Sequence, residues 1–184
     1  MHISLSKFIH LMVVATGIVV LGACSFFGYV TWKEEVQLND GRVIVVEQQK
    51  RAGHGIAREA WLTINLPEFS AQPIVWHEHL SPLVVNIDGG KLYVVGYTPT
   101  VVEFKQYGNP RPFYVGFVWK GGVWSRISFD RIPARIYVTN MLIDGFPPRG
   151  TAFLTLEKKN GSDMNGRATA PPSLKRIDPK ASFE

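Results

Sequence analysis

The sequence predicts an all-β domain, a sandwich or small barrel built from antiparallel hairpins with at most one short helix, behind an N-terminal membrane-targeting segment. Three observations carry that expectation. Apolar and polar residues alternate with period two in run after run, the pattern of strands with one buried face. Turn residues separate those runs, for Asn39-Asp40-Gly41, Asp88-Gly89-Gly90 and Lys120-Gly121-Gly122 each lie between β-branched or aromatic stretches. The chain also starts apolar, with Lys7 the only formal charge before Lys33.

In chain order, Trp32, Glu34, Val36 and Leu38 alternate with Thr31, Lys33, Glu35 and Gln37, and the first turn leads into Val43-Ile44-Val45-Val46, which makes a hairpin. Ala60, Leu62, Ile64 and Leu66 share one face of the next strand, Glu59, Trp61, Thr63 and Asn65 the other, and Pro67 ends it. Residues 83–87 and 92–97 flank the first Gly-Gly turn. Phe113, Val115, Phe117 and Trp119 lead to the second, and residues 123–129 return from it. Strict alternation places Trp119 on the core face and leaves Trp124 sharing an exposed face with Arg126 and Ser128. Trp124 and Arg126 are therefore the expected contact surface, since Trp and Arg are enriched in binding hot spots. Residues 151–156 supply a last strand. The total of about eight suits a sandwich or small barrel and is too few for a propeller. Residues 132–142 have room for one or two helical turns after Asp130 as cap, with Pro133 tolerated in the first turn. Residues 157–184, polar and carrying Pro171-Pro172 and Pro179, read as a mobile tail that docks through Leu174 and Ile177.

Composition bounds the function classes. With 184 residues, 46% of them hydrophobic and 19% charged, the chain fits one globular domain and excludes disorder, collagen and a solenoid. The expected organisation is a signal peptide or signal anchor over 1–23, a tether over 24–30, a β-rich domain over 31–157 and a polar tail over 158–184. Charge is uneven: residues 31–104 hold 6 basic and 9 acidic side chains, whereas residues 105–149 hold 7 basic and 2 acidic. Such a basic stretch faces solvent, anionic headgroups, cell-wall polymer or an acidic partner. No C-x-x-C finger, Lys/Arg run or RRM-type aromatic motif is present, so no nucleic-acid partner is expected.

The N-terminus carries the strongest local signal. A short n-region over residues 1–7, an apolar h-region over 8–20 and small residues before Cys24 make a secretory signal. Leu21-Gly22-Ala23-Cys24 resembles the bacterial lipobox, and Cys24 is the only cysteine in the chain. That resemblance implies diacylglyceryl modification of Cys24, cleavage before it and, with Ser25 following, sorting to the outer membrane. The alternative is an uncleaved helix. Residues 8–32 carry no formal charge and, at 1.5 Å per residue, are long enough to cross a bilayer core of about 30 Å in the inner membrane. Both readings put everything after Trp32 on the periplasmic side. With a single cysteine no intrachain disulfide forms.

The stretches Thr31-Trp32-Lys33-Glu34-Glu35-Val36, Asp40-Gly41-Arg42-Val43-Ile44-Val45-Val46-Glu47, Phe117-Val118-Trp119 and Trp124-Ser125-Arg126-Ile127 resemble uncharacterised proteobacterial lipoproteins. The similarity runs from Thr31 to about Lys158. It implies a lipidated, β-rich protein and supplies no catalytic residue.

Chemical motifs are few. There is no G-x-S-x-G elbow, P-loop, HExxH or complete G-x-G-x-x-G, although a triad assembled from distant residues leaves no local trace. His77-Glu78-His79 is the one cluster with ligand chemistry. On a strand the two imidazoles point to one side, but a zinc or copper site needs a third or fourth ligand, so neither metal nor cofactor is expected. Trp61, Trp76, Trp119 and Trp124 read as core residues or as a stripe for stacking on sugar rings. The expected function is a membrane-tethered periplasmic binding or structural module meeting an envelope protein or polymer. A cell-envelope hydrolase with a non-local active site is the alternative. A polar pocket joining His54, His77 or His79 to a carboxylate would favour the hydrolase, and a flat apolar or basic face the module.

Overall fold

Hairpin turns set the register of this fold. The computed structural model describes residues 28–53, 56–143, 145–161 and 170–183, so the targeting segment, Cys24 and His54 lie outside the described residues. Gly89-Gly90 and Gly121-Gly122 fill two-residue loops with φ of 54°, 71°, 59° and 83°. A type I′ turn needs positive φ at both central positions, and glycine takes it without strain. Asp88 thereby pairs with Lys91, and Lys120 with Val123.

The strands form two sheets, as the alternation implies. β1 (Tyr29–Gln37), β2 (Val43–Gly53), β3 (Ile56–Ile64) and β4 (Ile74–Glu78) make an antiparallel meander, and β9 (Phe153–Leu154) joins β1 in parallel. The last strand expected over 151–156 is thus only these two residues. β5 (Ser81–Asp88), β6 (Lys91–Tyr97), β7 (Tyr114–Lys120) and β8 (Val123–Ile127) form a second antiparallel meander.

The two sheets are covered differently. The first buries one face, through Val36, Val46, Ala60, Leu62, Ile64 and Trp76, while Lys33, Gln37 and Val75 on the other face are exposed. The second is buried on both along β5 to β7. Val85, Leu92, Val94, Val115 and Phe117 face the first sheet, whereas Val84, Tyr93, Val95, Tyr97 and Tyr114 line a second core behind it. Double burial is why β5 and β6 read as continuous apolar runs rather than as alternation. Gly116 lets that second layer close in: a Cβ there would lie 2.7 Å from Ile132 Cγ1.

Chain beyond the sheets covers the second core. Where a helical turn or two was expected, 3₁₀ turns at Phe129–Arg131 and Ala134–Ile136 are separated by Ile132 in extended conformation. The residue before a proline is pushed out of the α region, and Pro133 follows Ile132. Among the described residues, helix occurs instead as three short segments: α1 (Val101–Gln106), α2 (Leu156–Asn160) and α3 (Pro172–Lys175). The expected boundary between domain and tail at 157/158 falls inside α2. Ala170, Leu174 and Ile177 are buried in the second core, so residues 170–183 belong to the packed structure. Tyr114 donates to Ser173 O at 2.6 Å and Ile177 N to Tyr137 O at 2.8 Å, which fixes that segment across the sheet.

A buried charge pair fastens α2 to the first sheet. Glu34 and Lys159 are 0% and 1% exposed, with Lys159 Nζ 3.1 Å from Glu34 Oε2. Lys159 also donates to the carbonyls of Glu35 and Asn140, while Glu34 accepts from Gln48 Nε2 and from Leu142 N. Glu34 sits inward because β1 alternates Trp32, Glu34 and Val36 onto its core face.

Candidate functional site

The outer face of the first sheet is built by register. Thr31 opposes Gln49, Gln49 opposes Trp61, and Trp61 opposes His77, giving a row across β1 to β4. Two residues toward the start of β1, Tyr29 opposes Arg51, and past a bulge in β2 the side chains of Arg51, Glu59 and His79 come together. The His77 ring stacks on Trp61 at 4.2 Å and 11°, and Tyr29 meets Trp61 edge-on at 5.4 Å. His77 Nε2 lies 2.9 Å from Glu59 Oε1, His79 Nε2 3.9 Å from the same oxygen, and Arg51 Nη1 3.7 Å from Glu59 Oε2. Glu59 is the pivot of this cluster, at 12% side-chain exposure against 45% and 44% for the two imidazoles. With its hydrogen on Nε2, His77 donates to Glu59, and the ring is held flat against the indole.

The two histidines thus point to one side, as their spacing implies, and converge on a carboxylate from the neighbouring strand. Among the described residues, no group of three His, Cys, Asp or Glu side chains is placed to hold a metal ion. Both imidazoles are half-exposed on the sheet face, and among the described residues Trp61 and Arg51 stand beside the cluster.

Just behind it, at the same end of the sandwich, Glu78 points inward. Tyr107 donates its hydroxyl to Glu78 Oε2 at 2.6 Å and accepts from His79 N at 3.1 Å. Burial, reinforced by the Glu78 carboxylate, pushes the Tyr107 phenol far above its ordinary value, so it remains a donor. Arg126 Nη2 donates to Tyr107 O at 2.8 Å, and the guanidinium sits 5.5 Å above the tyrosine ring.

Of the expected contact surface, Arg126 stays exposed while Trp124 is half-buried. A two-residue hairpin makes Trp119 and Trp124 cross-strand partners, and directly opposed residues share a face. The two rings meet edge-on at 5.3 Å, both half-buried against the principal core. Trp124 Nε1 donates to Val75 O at 2.9 Å, joining β8 to β4 across the sandwich. Counting alternation along each strand separately missed the pairing that the short loop imposes.

α1 completes this end. Thr100 caps it by accepting from Val102 N, and Thr100-Val101-Val102-Glu103 is a capping-box pattern that sequence reading passed over. Arg58 grips Glu103 Oε1 through Nε at 2.7 Å and Nη2 at 2.6 Å. Burial would raise the Glu103 carboxyl, but hydrogen bonds from Thr100 and Arg58 outweigh it and bring the pKa below its ordinary value. A depressed carboxylate stabilises the fold above its unfolded-state pKa, and that contribution is lost as pH falls through the lower folded value. Glu103→Gln is therefore expected to lower the urea midpoint near neutrality and to flatten its decline below about pH 5, where the unfolded-state carboxyl begins to take up its proton. An unchanged pH profile in the variant would show that Glu103 makes no such contribution.

Concave surface lies around the corner from the sheet face. A cavity of about 410 Å³ runs between Pro110-Arg111-Pro112 and the end of β8, where Arg126, Ser128 and Phe129 line it. A second, of about 390 Å³, shares Arg111 and Pro112 and is closed by Phe104, Lys180 and Phe183. A third, of about 270 Å³, holds Asn86 and Asn140, whose amide groups are already engaged by the backbone of Asn39, Val85 and Gln37. Glu59 and Tyr107 were not singled out from sequence, and Glu78 only as the middle of His77-Glu78-His79, because their roles come from pairings between separate strands and loops. Compared with family models, curated proteins and solved structures, the chain matches none.

Proposed function

We propose that the chain is a membrane-tethered periplasmic module that binds an envelope protein or polymer through the outer face of its first sheet. The observation that carries this reading is the cluster of Tyr29, Trp61, His77 and Glu59 on that face, which joins aromatic surface to a charged hydrogen-bonding centre. Aromatic and arginine side chains with a polar surround are the composition of binding hot spots. The hydrolase alternative draws on the same imidazole–carboxylate pair, but an open sheet face does not exclude water from a reaction as a catalytic cleft does.

The tether follows from Leu21-Gly22-Ala23-Cys24 standing a few residues ahead of β1. Two or three acyl chains on Cys24 hold a protein stably, where a single chain binds only marginally. Cys24→Ala is expected to leave an unprocessed precursor by intact mass, and wild-type protein found unprocessed and unacylated would make the apolar helix the anchor instead. For the binding face, crosslinked recovery from envelope fractions is compared between wild type and Trp61→Ala. Loss of a hot-spot aromatic costs about 2 kcal/mol or more, so recovery should fall by over tenfold with the fold intact. Equal recovery would remove this face from the function.

A further inference from the structure

We propose that the end of the sandwich where β1 begins is a basic platform that lies on anionic phospholipid headgroups, seating a headgroup phosphate between Arg111 and Arg126. The inference rests on the tether proposed above and adds what the tethered end touches. Register places that end: Tyr29 opposes Arg51 and Ala60 opposes Glu78, so the start of β1 and the end of β4 lie together. Glu78 holds Tyr107, and Tyr107 holds Arg126, which brings the 410 Å³ cavity to the same end. Three strand spacings of about 4.8 Å separate β1 from β4. From Cys24 to Tyr29 the chain advances five residues, at most about 18 Å even when fully extended. A lipid on Cys24 therefore keeps this end within about 18 Å of the membrane surface.

The charge there is sorted by direction. Acidic groups turn inward: Glu103 onto Arg58, Glu59 onto His77 and Arg51, Glu78 onto Tyr107. Lys105, Arg111, Arg126 and Lys180 are exposed, and among the described residues neither adjoining cavity has an acidic residue in its lining. Lys105, Arg111 and Lys180 make no ion pair with a carboxylate among the described residues. Among the described residues, the exposed Asp130 and Asp178 adjoin these linings in sequence, and Asp178 accepts the backbone N–H of Lys180. Arg126 spends one Nη2 hydrogen bond on Tyr107 O and faces the cavity, and Arg111 stands across it with its fork of donors unused. The local excess of basic residues over 105–149 thus has a place to act.

The test uses the full chain in nanodiscs of phosphatidylcholine alone or of phosphatidylcholine and phosphatidylglycerol in equal parts, followed by amide hydrogen exchange. Residues 104–114 and 126–131 should exchange more slowly in the anionic discs, by on the order of fivefold for each basic residue engaged. Molar salt, which shortens the Debye length to about 3 Å, should abolish the difference. So should reversal of the three unpaired cations together, Lys105→Glu, Arg111→Glu and Lys180→Glu, with an unchanged thermal midpoint in detergent. Equal exchange in both discs overturns the headgroup platform while leaving the tether standing. The same slowing produced by inorganic phosphate with phosphatidylcholine discs overturns it in favour of a free-phosphate seat. Failure of the chain to stay with either disc overturns the tether, and the platform with it.

Discussion

Lys159→Ala is expected to cost the domain about 3–5 kcal/mol, the loss seen when one partner of a buried ion pair is removed and the other stays behind. Glu34 would remain fully buried on β1, keeping only Gln48 and Leu142 as hydrogen-bond partners, and α2 would lose its attachment to the Glu35 and Asn140 carbonyls. The cost comes from stranding a charge rather than from the net worth of the pair. Replacing both partners, Glu34→Gln with Lys159→Met, should therefore recover much of the lost stability, and a double-mutant cycle of urea midpoints measures the recovery. If Lys159→Ala shifts the midpoint by less than about 1 kcal/mol, Glu34 has access to water that the structure does not show.

Ending the chain after Gly161 should be comparably damaging, on the order of 5 kcal/mol. Leu174 and Ile177 would no longer cover the second core, and each fully buried side chain of that kind is worth about 1.5–3 kcal/mol. Tyr114 would lose its hydrogen bond to Ser173 O, and Thr139 its bond to Lys175 O at 2.8 Å. The outer face of the second sheet, with Val84, Tyr97 and Ile136, would meet water, so dye binding to apolar surface should rise together with the fall in thermal midpoint. A truncated chain with wild-type stability would show that residues 170–183 rest on the domain without supporting it.

Much of the architecture was legible because strand periodicity is a local property. Trp32, Val36 and Leu38 go inward, as do Ala60, Leu62 and Ile64, since a half-buried strand leaves its alternation in the sequence. The Gly-Gly turns announced their hairpins through the positive φ that glycine tolerates. The unbroken apolar runs of β5 and β6 also recorded burial on both faces, although that signal points to the second layer only once something is known to cover it.

What the sequence by itself determined is therefore the all-β class, the hairpins, the inward faces of β1 and β3 and the resemblance of Leu21-Gly22-Ala23-Cys24 to a lipobox, because each is written within a few consecutive residues. Only the tertiary structure decided which charges are buried and which surfaces stay open. Glu34 alternates with Lys33 like any strand residue, and nothing near it in sequence announces that Lys159 will meet it inside the protein. Glu59 finds His77, Tyr107 finds Glu78, and Trp124 finds Val75 O across sheet pairings and sandwich contacts. The physical reason is range: backbone preference and periodicity act over a few residues, whereas ion pairs and stacked rings form between groups that only folding brings together.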